Sequence, residues 1–339
     1  MRRLVVVIVI LLAVLAAAAG VLYSRVDAPF RGYTGEEQFI EIPPGAGPGV
    51  IGHRLVDAGV VRDRLTWRIA LFQSGSAREL KAGEYRFDVP LSPRQVIARL
   101  VKGDVYLRPI TFPEGLTIAD MAQSFQNHGF GSAADFVRAA SDVSLVKEID
   151  PEARDLEGYL FPDTYGLPRH ASAAQLVSQM VGRFNQVFGG DLKAAAAAHN
   201  LKVRDVVTLA SIVEKETARP EERPTVAAVY LNRLRIGMGL QCDPTVIYAL
   251  QKAGRYDGNL TRESLQFDSP YNTYRYTGLP PGPIAAPGRA SLEAALNPAS
   301  VDYLYFVSRN DGTHVFSKSY DEQRKNVEAF QGAGRREHR

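Results

Sequence analysis

Two glutamates near the end of one apolar segment are the residues whose type and position best fit acid–base chemistry. Glu214 and Glu216 close the stretch LASIVEKET, which has the apolar spacing of a helix with one buried face. The buried positions of that helix are Val206, Leu209, Ala210 and Val213. A carboxyl group beside an apolar wall has its charged form disfavoured. Its pKa therefore rises, and it can donate a proton near neutral pH.

Helical geometry separates the two glutamates only slightly. At about 100° per residue, Glu216 lies about 70° from the centre of the apolar face and Glu214 about 90°. Glu216 also precedes a break at Pro220, which opens it towards a cleft. The alternative is a solvated charge ladder, because EKET and the following EER are both rich in charge.

Polar residues after the next helix could hold a ligand with hydroxyl or amide groups. Gln241, Asp243 and Thr245 are candidates for positioning hydroxyl or amide groups. Asp243 precedes Pro244 and equally fits a helix cap. Asn232 could contact an N-acetyl group or be a buried structural amide.

A loop dense in Pro, Gly and Tyr, at residues 269–288, fits neither a regular helix nor a central strand and is typical of a binding loop. Tyr271, Asn272 and Tyr274 in this loop could form a sugar-stacking wall, since tyrosine offers a flat apolar face and a polar tip. Packing of the loop itself is the alternative.

The remaining reactive residue types indicate little further chemistry. The only cysteine, Cys242, has no histidine near it in the sequence, which favours a small half-buried side chain in a turn. The six histidines form no HxxH or HExxH pair, so no metal site is expected. Arg233 and Arg235 fit a solvated helix face by default, or contacts to peptide carboxylates.

The amino terminus predicts export. An apolar run from Leu4 to Tyr23 follows Arg2 and Arg3, and its 20 residues would form a helix of about 30 Å, enough to span a bilayer. The positive charges before it predict a cytoplasmic amino terminus, with everything after Ser24 outside the cytoplasm. A cleavable signal peptide is the alternative, because Ala16–Gly20 offers small residues for cleavage. The net charge of +3 is too small to indicate nucleic-acid binding.

A pattern repeats at an offset of 70 residues along the chain. Each copy predicts a strand, a helix ending at a glycine, a second helix and a Gly-Tyr-Phe-type strand: FIEIPPG to KAGEYRF, then PITFPEG to LEGYLFPDTY. The first copy resembles a LysM-type module. A similar helix start follows each copy, at LSPRQVIARLV, where Ser92 before Pro93 fits an N-cap, and at ASAAQLVSQMV. The predicted elements after the copies are helices at 204–217, 225–235 and from Pro244 to Gly254, a helix in SLEAALNPA, and a hairpin around Asn310-Asp311-Gly312.

Four motifs together resemble the endolytic murein transglycosylases, the YceG-like family: SIVEKET, VYLNRLRIGMGLQCDPTVIYAL, YNTYRYTGLPPGPI and DYLYFVSRNDGTHVFS. The resemblance runs from the anchor to about Gln331 and places the catalytic glutamate of the family on Glu216. It implies cleavage between N-acetylmuramic acid and N-acetylglucosamine with formation of a 1,6-anhydro sugar, no cofactor, and action beside peptidoglycan synthases. Glu157 and Asp163 also match family positions, where we expect a fold-holding role.

The resulting fold class is α+β: an N-terminal transmembrane helix, one or two small LysM-like α+β modules, and a mixed α+β catalytic domain. The expected organisation is a start and transmembrane helix at 1–24, a linker at 25–36, a LysM-like module at 37–105, a catalytic domain at 106–331 with a second repeat possible at 106–170, and a basic tail at 332–339. The expected cellular location is the inner membrane, which the chain crosses once, with the catalytic domain on the periplasmic side. A lysozyme-type hydrolase and a non-catalytic peptidoglycan-binding scaffold are the alternatives.

Overall fold

The chain forms two compact units in the computed structural model, which describes residues 2–331. The first unit contains the described residues up to Arg108 together with Gly166–Arg169. The second contains Pro109–Tyr165 and the described residues from His170 onward. All predicted site residues therefore lie in the second unit.

The first unit begins with the apolar helix and continues as a strand–helix–helix–strand arrangement. Its elements are α1 (Arg2–Asp27), β1 (Gln38–Ile42), α2 (Pro48–Asp57), α3 (Arg64–Ser74), β2 (Gly83–Phe87) and α4 (Pro93–Lys102). β1 and β2 pair antiparallel, with Ile40 opposite Tyr85. Ser92 caps α4 and exchanges hydrogen bonds with Gln95 in a capping box, as its position before Pro93 predicts.

The apolar helix α1 is longer than the predicted span and enters the first unit. It ends at Asp27 instead of Ser24, and Val26 is fully buried in the core of this unit. The predicted linker at 25–36 also contacts the unit, because the Phe30 amide donates to the Leu91 carbonyl at 3.1 Å. The chain leaving the apolar helix is thus tied to the first unit through the core and the backbone.

The second unit is mostly helical. Its elements, with β3 starting and β4 ending in the first unit, are β3 (Arg108–Thr111), α5 (Ile118–Asn127), α6 (Ala133–Ala139), β4 (Thr164–Leu167), α7 (Ala173–Phe188), α8 (Asp191–Ala198), α9 (Val203–Glu216), α10 (Arg223–Arg235), α11 (Asp243–Lys252), α12 (Arg289–Leu296), β5 (Tyr305–Ser308), β6 (His314–Ser317) and α13 (Tyr320–Gln331). Short 3-10 turns lie at Val143–Leu145 and Ser264–Gln266.

Helix α9 is the centre of the second unit. It packs against α8, α10, α11 and α12, and eight consecutive residues from Val206 to Val213 are buried. The sequence predicted one buried face, and the four residues assigned to it are buried, but neighbours cover the other sides as well. The helix ends at Glu216 because Thr217 adopts an extended backbone and Pro220 follows. Glu216 is therefore held on a rigid, packed element.

The mixed α+β class and the repeated order of elements are confirmed. Both copies contain strand, helix, helix and strand, and the glycines predicted to end α2 and α5 have left-handed backbone, with φ of 69° at Gly59 and 71° at Gly129. The place of the last strand in the second copy is wrong: residues 158–161 contain no strand and begin in a turn, with left-handed backbone at Gly158, and β4 begins only at Thr164, after Pro162. The LysM-like identity of these copies stays a prediction. β5 and β6 form the predicted hairpin, with Tyr305 opposite Ser317. Residues 269–288 contain no helix or strand.

Two helices were not predicted, α8 and α13. The sequence of α8 is mostly alanine, which has high helix propensity but no apolar periodicity to read. The predicted basic tail at 332–339 lies outside the described residues.

Candidate active site

Glu216, the last residue of α9, meets two neutral hydrogen-bond donors. The thiol of Cys242 lies 3.3 Å from its Oε2 atom, and the hydroxyl of Tyr230 is close enough to act as a donor that lowers the pKa of its carboxyl group. Tyr230 is on α10 and Cys242 immediately precedes α11, so three consecutive helices converge on the carboxylate. Tyr230 and Cys242 are each 1% exposed, whereas Glu216 is only partly buried.

These surroundings favour the protonated form of Glu216. Burial raises its pKa above the ordinary value, and the nearby charge of Asp243 adds to that effect, while hydrogen bonds from Cys242 and Tyr230 oppose it. No lysine or arginine in the described part of the chain forms an ion pair with Glu216. Glu216 can therefore keep a proton at a higher pH than an exposed glutamate.

Glu214 has a different environment from Glu216. Its Oε1 atom accepts a hydrogen bond from Arg223 at 2.8 Å, and its Oε2 atom accepts one from the Gly288 amide at 3.0 Å. The Glu214 and Arg223 side chains are 5% and 8% exposed. Burial raises the pKa of Glu214, but its oxygens are occupied by this internal pair. The contacts of the two glutamates therefore distinguish Glu216 as the candidate acid, a distinction that helical periodicity alone makes only weakly.

The turn after Glu216 is fixed by a partly buried acid–imidazole pair. Thr217 donates its hydroxyl to Glu222 at 3.2 Å, and the Nδ1 atom of His314, on β6, lies 2.7 Å from the same Glu222 oxygen. The His314 backbone amide donates to the other oxygen at 2.9 Å. Burial acts to raise the pKa of Glu222, but the hydrogen bonds from His314 outweigh it and lower the pKa. This network holds the chain directly after the candidate acid.

Asp243 and Tyr274 lie at the exposed side of the candidate acid. The Tyr274 hydroxyl donates to Asp243 at 2.6 Å, and both residues are exposed. Asp243 is the first residue of α11, and its side chain contacts Tyr274 instead of capping the helix. Gln241 is also exposed, with a left-handed φ of 49° and its amide donating to the Thr273 carbonyl at 3.1 Å. These three predicted contact residues have side chains open to a ligand.

Three other predicted contact residues are engaged inside the protein. Thr245 is fully buried and donates to the Cys242 carbonyl at 2.6 Å. Asn272, also fully buried, donates to the carbonyls of Leu265 and Phe267 and so holds the 269–288 loop in place.

Asn232 donates to the carbonyls of Val301 and Tyr303 at 2.9 and 3.0 Å. Thr245, Asn272 and Asn232 thus all bind groups within the protein, as the structural alternatives for Asn272 and Asn232 describe.

The prediction of a solvated Arg233 is wrong. Its side chain is buried and donates to the carbonyls of Leu304 and Leu240, each at 2.6 Å. Arg235 is exposed, as predicted. A helix with neighbours on several sides buries residues that a single-face pattern assigns to solvent.

Tyr271, Glu157 and Asp163 lie in structural surroundings. Tyr271 is half-buried and its ring packs 5.0 Å from that of Tyr248. Glu157 accepts hydrogen bonds from the Ile118 amide, and burial raises its pKa to about 8. Asp163 binds Arg183 at 2.8 Å on the surface. The contacts of Glu157 and Asp163 agree with the fold-holding role expected for them.

Sequence reasoning missed the residues that support Glu216. The helical pattern predicts only an inward position for Tyr230, and the sequence predicts a half-buried turn residue at Cys242, which is instead fully buried and contacts Glu216. His314 and Glu222 are 92 residues apart and meet only in the folded chain. The one signal available was Tyr230 itself, since a fully buried tyrosine requires a hydrogen-bond partner.

The fold and the site together define a class of protein: a mixed α+β unit that presents one half-buried acid, with neutral donors, beside exposed polar and aromatic groups. The chain belongs to the YceG-like family, whose family model matches residues 40–329.

Two relatives named endolytic murein transglycosylase match at length. That of Bacillus subtilis is 31% identical over 307 residues, covering 86% of this chain and 84% of that protein. That of Streptococcus pneumoniae is 30% identical, and the matched region spans 57% of its length. A crystal structure of a yceG-like protein from Listeria monocytogenes matches with a TM-score of 0.58 and 32% identity, covering 86% of this chain and 98% of that one.

Proposed function

We propose that this chain is a membrane-anchored lytic transglycosylase, a lyase that cleaves the bond between N-acetylmuramic acid and N-acetylglucosamine within nascent peptidoglycan strands. The observation that supports it most is the environment of Glu216: a raised pKa, two neutral donors and an opening to solvent. The names of the relatives support the choice of peptidoglycan as substrate.

In the first step, protonated Glu216 donates its proton to the oxygen of the glycosidic bond. That oxygen leaves with N-acetylglucosamine while positive charge develops on the anomeric carbon of the muramic acid. The nearby carboxylate of Asp243 can stabilise this charge. Because Asp243 accepts a hydrogen bond from the Tyr274 hydroxyl at 2.6 Å, this carboxylate oxygen is less available for attack on the anomeric carbon.

In the second step, Glu216 acts as the base. Its carboxylate removes the proton from the 6-hydroxyl of the same muramic acid, whose oxygen closes onto the anomeric carbon. The product is a 1,6-anhydro end, no water is consumed, and Glu216 regains its proton. One carboxyl group thus serves both steps, in contrast to the two that ordinary glycosidases employ.

One observation also fits a lysozyme-type hydrolase. Asp243 lies close enough to Glu216 for its charge to raise the pKa of that carboxyl group. A second carboxylate is what hydrolysis requires, so the two mechanisms must be separated by their products.

Cleavage in water enriched in oxygen-18 distinguishes these mechanisms. We expect the purified full-length chain, acting on isolated peptidoglycan strands, to release anhydromuramic ends with no heavy oxygen incorporated, as determined by mass spectrometry. Reducing ends that carry oxygen-18 would establish the hydrolase. Binding of the strands without formation of any new ends would favour the alternative of a non-catalytic peptidoglycan-binding scaffold.

Removal of the Tyr230 hydroxyl is expected to change the pH dependence of cleavage. This donor holds the pKa of Glu216 down, so in Tyr230→Phe the pKa rises further and the alkaline limb of kcat/KM moves to higher pH. A hydrogen bond of about 1 kcal/mol corresponds to a shift of about 0.7 pH unit. The measurement is the pH profile of anhydro-end formation.

Tyr248→Phe is the matched control for that profile, because its buried hydroxyl contacts Glu157 instead of Glu216. We expect no shift of the alkaline limb in this variant. An unshifted limb in Tyr230→Phe as well would contradict the role assigned to the Tyr230 hydroxyl.

The anchor places this chemistry at the membrane in our proposal. Val5–Asp27 has a mean hydropathy of 3.2 and none of it is buried within the protein across its most apolar window, so it has the length and composition of a membrane span. With Arg2 and Arg3 before it, we infer a single pass through the inner membrane and a periplasmic catalytic unit. There it would act beside peptidoglycan synthases and limit strand length.

A further inference from the structure

Helix α3 of the first unit has two apolar faces and only one of them is covered. Thr66, Trp67, Ala70 and Leu71 are buried in the core. On the opposite side, Leu65 is 52% exposed and Phe72 is 88% exposed. Residues seven apart lie on the same face of a helix, so these two side chains form one apolar strip.

Arginines accompany this apolar strip. Arg64 and Arg68 are exposed on the same helix, which carries no acidic residue, and Arg62 is exposed just before it. The acid nearest in sequence is Asp63, whose carboxylate caps α3 by accepting the Thr66 amide at 2.8 Å. Helix α3 therefore presents apolar and cationic groups side by side.

The end of the apolar helix α1 lies next to α3. The two helices pack against each other within the first unit. Arg94 connects them at the end of α3, since it binds Asp27 at 2.8 Å and Gln73 at 3.2 Å. Gln73 directly follows Phe72. The exposed strip is thus fixed close to the last residue of the candidate membrane span.

A second contact lies at the start of α3. Burial acts to raise the pKa of Asp63, but hydrogen bonds from Thr66 and the positive charge of Arg25 lower it. Arg25 is in the last turn of α1, so both ends of α3 are coupled to that turn. Val26, fully buried in the core, completes the attachment.

We propose that the Leu65–Phe72 face of α3 is a membrane-docking surface, which inserts Phe72 and Leu65 into the interface of an anionic bilayer while Arg64 and Arg68 meet lipid phosphates. An amphipathic helix with apolar and basic residues is the chemistry that binds such an interface. The inference rests on the proposed anchoring of α1, because that anchor brings α3 to the bilayer.

Docking at this face would fix the first unit against the membrane surface. A single span leaves a domain free to rotate about its connection, whereas a second contact restricts that freedom. The second contact binds the membrane more readily than it would alone, because the anchor already holds α3 at the bilayer and so raises its effective concentration there. Modest contacts from two apolar side chains and two arginines are then sufficient.

The test uses the full chain in nanodiscs of phosphatidylglycerol with brominated acyl chains, which quench tryptophan on contact. Trp67, the single native tryptophan, is 1% exposed and gives a constant background. We expect the fluorescence added by Phe72→Trp to fall about twofold on bromination, at the depth of an interfacial helix. Ile236→Trp, at a residue of the second unit that is 57% exposed, is the matched control and should show no quenching.

The charges are tested in the same chain. Adding Arg64→Gln and Arg68→Gln to Phe72→Trp should reduce the quenching, and so should high salt or a zwitterionic lipid. Unchanged formation of anhydro ends from soluble strands would show that the variants are folded and that glycan cleavage does not depend on docking.

Two results would overturn the inference and are distinguishable. A chain that elutes with the discs but shows no quenching of Phe72→Trp retains its anchor and lacks the docking surface, which leaves the strip for a protein partner. A chain that does not elute with the discs lacks both. Neither result bears on the role of Glu216, which is determined from the products.

Discussion

Replacement of Glu216 by glutamine is expected to lower the rate of anhydro-end formation by about 10³-fold or more. An amide of the same size keeps the packing but can neither donate a proton to the glycosidic oxygen nor accept one from the sugar hydroxyl. General acid–base catalysis contributes about 10²–10⁴-fold per positioned group, and here one group serves two steps. The rate is measured by mass spectrometry of strands treated with the full-length variant.

The control for this variant is Glu221→Gln, the same substitution on an exposed glutamate five residues further along the chain. Its rate should stay within about twofold of the parent, because the ion pair of Glu221 with Arg219 at 3.9 Å is exposed, and an exposed pair contributes little. Equal strand binding by the parent and Glu216→Gln would show that the loss is chemical. A Glu216→Gln enzyme that still forms anhydro ends at the parent rate would remove Glu216 from the mechanism.

Much of the fold could be predicted because its signals are local. Ser92 with Pro93, the glycines at 59 and 129, and the Asn310-Asp311-Gly312 turn each determine their own backbone over a few residues. The helix that ends at Glu216 was predictable to within a residue or two at each end. Each of these features is determined by residues adjacent in the chain, so it can be predicted from the sequence alone.

The supporting residues of the site depend on contacts between distant segments. Cys242 contacts Glu216 across 26 residues of chain, and Glu222 contacts His314 across 92. No local pattern announces such pairs. The error at Arg233 has the same origin, because the carbonyl of Leu304 that it binds belongs to a segment 71 residues away. Periodicity indicates which residues face a core but not how many neighbours surround the helix.

Replacement of Arg223 by glutamine is expected to destabilise the second unit strongly. It leaves Glu214 buried without a cation, and Glu114 loses its contact at 3.3 Å as well. Removal of one partner of a buried pair costs about 3–5 kcal/mol of unfolding free energy. Chemical unfolding followed by circular dichroism measures this loss. The fluorescence of Trp67 follows the first unit as an internal reference.

The pH dependence of that loss follows from the proton on Glu214. Burial already raises its pKa in the folded chain, and removal of Arg223 raises it further. The folded variant then holds a proton that the unfolded chain releases, so stability falls as pH rises from the ordinary glutamate pKa through the raised one. The loss of unfolding free energy in Arg223→Gln, relative to the parent, should therefore be largest at neutral pH and become smaller in acid.

The double variant Arg223→Gln, Glu214→Gln isolates the pair from the rest of the site. It removes the buried charge together with its partner, so we expect it to be more stable at neutral pH than Arg223→Gln alone, with little dependence on pH. Its Glu216 keeps the contacts to Tyr230 and Cys242, so the folded double variant should still form anhydro ends. If the double variant were as unstable as the single one and equally sensitive to pH, Glu214 would not be the charge that Arg223 compensates, and the assignment of the two glutamates to different roles would fail.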